Sequence, residues 1–336
     1  MEIGKLPPET LSRLLAKAKT DPTVIIGPAY GEDAAAIRFG SSVLVAASDP
    51  VTFTTDRIGY YAVCVNANDI AVTGATPRYF LATILLPDRS SESDAAGVFD
   101  QISEACEEIG VTLIGGHTEV TGSVDRIVVA GTMLGDAREE SLISSAGARV
   151  GDGIILAGPI AIEGTTILAR EARDDLLGRG VSESLISNAE SVLDKYGICV
   201  LNYARAAMST GAVTAMHDPT EGGLATAIRE LTFASKTGAL ISSDAIPILS
   251  ECRAICDALA LEPLGLIASG CLLVTVPANM VEETVMTIER TGAPVNIIGL
   301  VRDPEHGVTF EGGSSVPMYD RDEIARYFSS VNTATE

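Results

Sequence analysis

Four short polar clusters recur in the first third of the sequence: Gly31-Glu32-Asp33-Ala34, Ala47-Ser48-Asp49-Pro50, Asn66-Ala67-Asn68-Asp69 and Gly115-Gly116-His117-Thr118-Glu119. Asp and Asn are poor helix formers. Even so, Asn66, Asn68 and Asp69 stand together in an apolar helical stretch, with Asn66 and Asp69 three apart on one face. Taken singly, each cluster is equally a helix cap, an Asx-turn or a solvated edge. Four of them in one segment favour a common site that collects Asp33, Asp49 and Asp69. Carboxylates that gather without a cation force protons onto one another. The group therefore predicts a metal ion, and hard oxygen donors point to Mg²⁺, which otherwise keeps phosphate and water.

A fifth signal lies in the second half, Met216-His217-Asp218-Pro219-Thr220-Glu221-Gly222-Gly223-Leu224, at a strand-to-helix junction. Asp218, Thr220, Gly222 and Gly223 supply a cap, a tight backbone and exposed N–H groups, which suit an anion. A capped helix with no ligand is the plainer alternative. The chain has five lysines, Lys5, Lys17, Lys19, Lys195 and Lys236, none in a Gly-rich loop. There is no GxxxxGK[ST] and no GxGxxG after a strand, so a P-loop NTPase and a Rossmann dehydrogenase are both disfavoured. A nucleotide phosphate here would have to be neutralised through carboxylate-held metal. Cys252 and Cys256 share a helical face, but no further Cys or His lies near them in sequence, which argues against zinc.

The elements that must position these groups alternate. In the first half, a helix near Leu11–Ala18 precedes strands at 34–39 and 43–47. A helix at 57–75, stopped by Gly74 and Pro77, a strand at 80–86, a helix at 94–109 and strands at 111–114 and 127–134 complete it. The small polar segment 141–152 marks a domain boundary, giving domains 1–145 and 146–336. The second half is again mixed, with strands near 154–157, 212–216, 239–242, 271–276, 295–301 and 308. Helices are expected at 165–177, 182–194, 197–209, 222–235, 250–259 and 280–290, with a last one near Asp320. Two α/β domains follow.

Composition narrows the function classes. The 336 residues carry a net charge of −22, spread over both halves. That disfavours nucleic acid and anionic membrane as partners. Apolar runs are strand-sized, so no transmembrane helix is expected. Glu2, Pro7, Pro8 and Glu9 precede any apolar run, which predicts no signal peptide. Six cysteines with no CxxC pair fit free thiols in the cytoplasm. Aromatic residues make up 4% and Trp is absent, which removes a base-stacking platform.

The motif series GEDAA (31–35), SDPVTF (48–53), NANDIAVTGATP (66–77), GGHTEVT (115–121) and HDPTEGGLA (217–225) resembles the aminoimidazole ribonucleotide synthetase (PurM-like) superfamily. That group includes thiamine-monophosphate kinase, selenophosphate synthetase and the hydrogenase maturation protein HypE. The motifs look nearest to HypE and cover almost the whole chain. The resemblance implies a two-domain PurM-like α/β (α+β) fold. Its N-terminal small sheet pairs across a homodimer that binds ATP, and its C-terminal domain is an α/β sandwich. By motif, Asp33, Asp49 and Asp69 would handle Mg²⁺ and phosphate, with Asn66 and Asn68 beside them. Gly115, Gly116, His117 and Thr118 match a loop that carries a carboxylate in the kinase. His117 removes that group, and Glu119 lies two residues on.

The departures matter. HypE-type proteins end in a cysteine that carries the carbamoyl group, whereas this sequence ends Val331-Asn332-Thr333-Ala334-Thr335-Glu336. The expectation is thus an ATP- and Mg²⁺-dependent enzyme that transfers phosphoryl to an oxygen of an unidentified small or protein-bound acceptor, without HypE's cyano chemistry. A nucleotide-binding accessory protein and a small-metabolite kinase are the alternatives.

Overall fold

The computed structural model describes residues 4–19 and 21–333; Glu2 and the terminal run 334–336 lie outside them. The chain divides into two compact units. The N-terminal unit comprises Lys19–Pro28 and Asp33–Leu142, and the C-terminal unit comprises Met1–Ala18, Ala29–Glu32 and Ile143–Glu336. The division after Leu142 lies close to the expected boundary at 145, but two early segments belong with the later unit.

The chain begins with helix α1 (Pro8–Leu15), then strands β1 (Val24–Ile26), β2 (Ala35–Phe39), β3 (Ser42–Ala47) and β4 (Pro50–Val51). Helix α2 (Ile58–Ala71), strand β5 (Thr76–Leu86), helix α3 (Glu92–Ile109) and strands β6 (Thr112–Val120) and β7 (Val128–Ala137) follow. The strands form one sheet in the order β1-β2-β3-β7-β5-β6, with β4 also on β7. Only β5 and β6 pair in parallel, and α3 is the crossover that a parallel pair needs. A capping box of Ser91 and Asp94 starts α3, and left-handed Gly110 ends it.

Helix α2 is the centre of this unit. Every residue from Ile58 to Ala71 except Tyr60 is buried, as expected of a helix covered on all sides. It packs on α3 and on β3, β5 and β7. Two glycines on the buried face of β7 let it approach. A Cβ at Gly131 would stand 2.4 Å from Asn66 Nδ2, and one at Gly135 would stand 2.4 Å from Ile70 Cγ2. The helix ends at Ala71, earlier than expected, and Pro77 lies within β5 beside a register shift rather than in a loop.

The C-terminal unit continues with β8 (Asp152–Ala157), α4 (Ile162–Glu171), α5 (Arg173–Gly178), α6 (Glu183–Glu190), α7 (Val192–Tyr196), α8 (Leu201–Ser209) and β9 (Ala215–His217). Next come α9 (Gly223–Ser235), β10 (Gly238–Ile241), α10 (Ser250–Leu259), β11 (Leu272–Pro277), α11 (Val281–Glu289), β12 (Val295–Arg302), β13 (Val308–Phe310) and α12 (Glu323–Thr333). The second sheet runs β13-β10-β12-β8-β11-β9. All six residues of β8 are buried, so both faces of the sheet centre are covered. Helices α8 and α11 pack on this sheet, while α4 packs among α5, α6, α7 and α10. The expected helices 165–177 and 182–194 are each two shorter helices, meeting at Ala172 and Ser191.

Candidate functional site

In the N-terminal unit, Asp33 is half-buried ahead of β2, and Asp49 is exposed between β3 and β4. The Asp49 backbone is held on both sides. Its N–H donates to Asn66 Oδ1 at 2.9 Å, and its C=O accepts from Asn66 Nδ2 at 3.1 Å and from Gly131 N at 2.9 Å. Asn66 also donates to Ala62 O at 2.8 Å and is fully buried. Both N–H donors of this amide are therefore used inside the protein. Asn66 acts on Asp49, where the motif alone had placed it against the ligand. Ser48 Oγ donates to Gly131 O at 2.7 Å and adds a second tie to β7. Asn68 and Asp69 are buried one turn further along α2.

Among the described residues, no three His, Cys, Asp or Glu side chains are gathered to hold a metal ion by themselves. Asp33, Asp49 and Asp69 are thus separate donors, not a closed cage. Their chemistry still fits Mg²⁺, which takes one or two carboxylates and completes its sphere with phosphate and water. An exposed carboxylate on a backbone fixed from both sides is a fitting donor.

Gly115, Gly116, His117 and Thr118 do not follow a strand, as the sequence suggested. They lie within β6, an edge strand exposed from Ile114 to Val120. The approach to β5 requires glycine at 116, because a Cβ there would meet Ala82 O at 1.9 Å. His117 Nε2 lies 3.3 Å from Glu119 Oε2, since residues two apart on a strand share a face.

In the C-terminal unit the Asp218–Gly223 turn links β9 to α9. Asp218, Gly222 and Gly223 are buried and Thr220 is half-buried. Two of the expected anion-binding N–H groups are already committed. Gly222 N donates to Asp322 Oδ2 at 2.6 Å, and Gly223 N donates to Thr220 O at 3.0 Å. Burial pushes the Asp322 carboxyl up to about 7, although the Gly222 and Ile324 N–H groups pull it back. An internal carboxylate thus takes the Gly222 N–H at this helix start.

Sequence reasoning missed a network beside this turn. His217 Nε2 lies 3.0 Å from Glu230 Oε2, thirteen residues on, and both are buried. Lys5 Nζ lies 3.8 Å from Glu230 Oε1 and 3.4 Å from Thr220 Oγ1, while Lys5 N donates to Glu221 Oε1 at 2.8 Å. Burial works to raise the Glu230 carboxyl, but Lys5, His217 and Tyr30 together hold it below the ordinary value. Tyr30 stacks edge-on against Phe233 with centroids 5.3 Å apart. The sequence had singled out His217 within its motif and counted Lys5 among five lysines, but nothing local joined either to Glu230 or Tyr30.

No disulfide joins the cysteines: Cys64, Cys106, Cys252, Cys256 and Cys271 are buried, and Cys199 is half-buried. Burial pushes the Cys106 thiol up to about 11 and raises Cys271 as well. Among the described residues, no helix is long and apolar enough to cross a membrane.

Two family models match the sequence. Residues 31–137 match the AIR synthase related protein N-terminal domain, and residues 149–311 match the C-terminal domain of the same family. A putative hydrogenase expression/formation protein of Methanocaldococcus jannaschii is 30% identical over 306 residues, covering 88% of this chain and 88% of that one. The carbamoyl dehydratase HypE of Rhizobium leguminosarum bv. viciae is 28% identical over 286 residues, covering 82% and 79%. Among solved structures, a HypE–HypF complex superposes with a TM-score of 0.74 at 23% identity, covering 92% of this chain and 98% of that one. HypE in complex with ATP superposes at 0.67 with 24% identity, covering 94% and 91%. These structures share the fold, which is the two-domain PurM-like α/β architecture.

Proposed function

The chain belongs to the AIR synthase related protein family, and on that premise we propose that it uses ATP and Mg²⁺ to transfer phosphoryl to an oxygen. The acceptor is a small molecule or a protein-bound group. The observation that carries this reading is Asp49, exposed while its backbone is held by Asn66 and Gly131. A donor fixed in this way needs no reorganisation to meet a cation. Asp49, with Asp33 and Asp69 as separate donors, would hold Mg²⁺ ions, which when bound neutralise phosphate charge. A solved HypE in complex with ATP, of the same fold, supports ATP as the nucleotide.

The other residues take positioning and binding roles. Asn66 sets Asp49. His117 and Glu119, both exposed on β6, offer a donor and an acceptor with Thr118 between them. Gly115 and Gly116 allow the close approach of β6 to β5. In the C-terminal unit, Asp218, Thr220, Gly222 and Gly223 keep the turn that Asp322 and Lys5 hold in place. The protein acts as a homodimer, because β6 is an edge strand with Ile114, Val120 and neighbouring Tyr79 about half exposed. Its six free thiols suit the cytoplasm.

We do not assign it the carbamoyl dehydratase reaction named for its relatives. No cysteine of this sequence is exposed, and burial makes the raised Cys106 and Cys271 thiols poor nucleophiles. Calorimetric titration with a non-hydrolysable ATP analogue, with and without Mg²⁺, tests the binding half of the reading. Phosphate release with hydroxyl, carboxylate and carboxamide acceptors tests the transfer. Binding without release on every acceptor would favour an accessory protein, and no binding at all would refute the reading.

A further inference from the structure

Residues Met1–Ala18 belong with the C-terminal unit, yet no residue of α1 is buried. Leu11 and Leu15 are half-buried and Leu14 is exposed. Such partial burial contributes only a fraction of what a fully buried leucine does. Polar contacts fix the segment ahead of the helix. Lys5 N donates to Glu221 Oε1 at 2.8 Å, and a Cβ on Gly4 would stand 3.0 Å from the same oxygen. Lys5 Nζ lies 3.4 Å from Thr220 Oγ1 and 3.8 Å from Glu230 Oε1. The second early segment, Ala29–Glu32, meets the same glutamate. A Cβ on Gly31 would stand 2.9 Å from Glu230 O, and the Tyr30 hydroxyl donates to the Glu230 carboxylate. The Tyr30 ring rests edge-on against Phe233, one turn along α9.

Both segments therefore meet α9 at Glu230, whose surroundings have an inner and an outer side. On the inner side, buried His217 holds Oε2 at 3.0 Å, and its Nδ1 lies 3.5 Å from Ser145 Oγ. On the outer side stands Lys5, with a side chain 47% exposed against 8% for that of Glu230. Two further charges act nearby, Arg229 on Tyr30 and Glu221 on the Lys5 backbone. Salt screens exposed charges far more than buried ones. The carboxylate is thus fixed to the unit from inside, while its grip on Lys5 responds to the solution.

We propose that residues 4–18 form a releasable strap, latched through Lys5 to the Glu230 carboxylate and opened by rising ionic strength. Opening withdraws Lys5 from Thr220 and Glu221 and bares that part of the turn between β9 and α9. Residues 29–32 stay seated, because the Gly31 crossing and the Tyr30–Phe233 stack are not charge pairs. The strap opens as a local unit while the sheet behind it stays closed. Neither nucleotide nor metal enters this inference, so its failure is distinct from failure of the ATP reading.

Amide hydrogen exchange of the full chain measures the opening. The amides of Leu11 and Ala16, bonded to Pro7 O and Ser12 O, report on the strap. Those of Leu273 and Val274 within β11 report on global opening. At about 1 M salt the Debye length is ~3 Å, shorter than the 3.8 Å between Lys5 Nζ and Glu230 Oε1. Raising KCl from about 0.1 M to about 1 M should speed the strap amides about five-fold, the scale of one partly exposed ion pair, and leave the β11 amides unchanged. Lys5→Met keeps the aliphatic stem. At low salt it should already exchange at the high-salt rate, and it should not respond to KCl. Glu230→Gln should behave alike, and combining the two should add nothing. Should Glu230→Gln fail to fold, Lys5→Met and the salt series decide the matter. Strap amides indifferent to salt and to Lys5→Met overturn the proposal. A Lys5→Met effect that persists undiminished beside Glu230→Gln also overturns it, placing the hold at Thr220 or Glu221. Equal acceleration in β11 would mean global loosening, which overturns it too.

Discussion

The Asn66 carboxamide grips the Asp49 peptide from both sides, accepting from its N–H at 2.9 Å and donating to its C=O at 3.1 Å. The pair links a buried helix to an exposed loop. The rigid partner is deep in the core and the chemical partner faces solvent, so the carboxylate inherits the order of α2.

Asn66→Ala should loosen Asp49 and destabilise the protein by ~1–3 kcal/mol, the range for buried backbone groups left unpaired. Gly131→Ala should act through the same pair, because its Cβ would stand 2.4 Å from Asn66 Nδ2 and 2.7 Å from the Phe80 ring. The double variant should be clearly less harmful than the sum of the two. Denaturant titration of the four proteins measures this, and strict additivity would separate Gly131 from the clamp.

Asp49→Ala should leave stability within about 0.5 kcal/mol, since the side chain is exposed. Its affinity for Mg²⁺–nucleotide should fall about tenfold or more, ~1.4 kcal/mol per decade. Calorimetry would show the loss only when Mg²⁺ is present. An equal loss without the metal would assign Asp49 another role.

Sedimentation should give a species of about twice the 34.9 kDa chain mass. The edge strand β6 and its exposed Ile114 and Val120 are the expected contact. Ile114→Lys with Val120→Lys should shift the population to monomer without unfolding the sheet. A wild-type monomer at micromolar concentration would remove the paired-sheet arrangement.

Native thiol alkylation should leave nucleotide binding intact, because five cysteines are buried and the sixth is half-buried. Incubation with ATP and a carbamoyl-transferring partner should yield no carbamoyl or cyano mass on any cysteine. Such an adduct on intact protein would restore the dehydratase assignment.

Asp322 sets a pH dependence whose sign follows from its burial. Its folded pKa is raised to about 7, whereas an unfolded aspartate titrates near ~3.9. The native state therefore holds the proton more tightly, and stability falls as pH rises between those two values. Glu163 contributes in the same direction. Asp322→Asn keeps an oxygen for the Gly222 and Ile324 N–H groups and should flatten part of that slope. Calorimetric melting from pH 4 to pH 8 tests this, and an unchanged slope in the variant would refute it.

Much of the fold was legible because its signals are local. The apolar run with Asn66, Asn68 and Asp69 marked α2, and the helix expected from Asp94 starts two residues earlier, at Glu92. The strand status of Gly115–Thr118 was not legible. Adjacent glycines read as a turn, and only the demand of the β5 backbone for a bare Cα at 116 keeps them extended. The Asp322 cap lies one hundred residues from Gly222 and leaves no trace at short range. Glu230, Lys5 and Tyr30 escaped for the same reason: their partners are set by tertiary packing, while periodicity reports only the face a residue occupies.

Met1–Ala18 and Ala29–Glu32 pack with a unit that otherwise begins at Ile143. On the ribosome these segments emerge well before the residues that receive them. Lys5 and Tyr30 must wait for Glu230, more than two hundred residues downstream of Lys5. The sheet around α2 has no such delay, because its strands all precede Leu142. Contacts of this sequence separation slow folding, so the docking of Lys5 and Tyr30 is timed by the arrival of α9. Chain production and docking therefore run out of step for these segments, and a nascent chain stalled before α9 would hold Lys5 and Tyr30 without their partner.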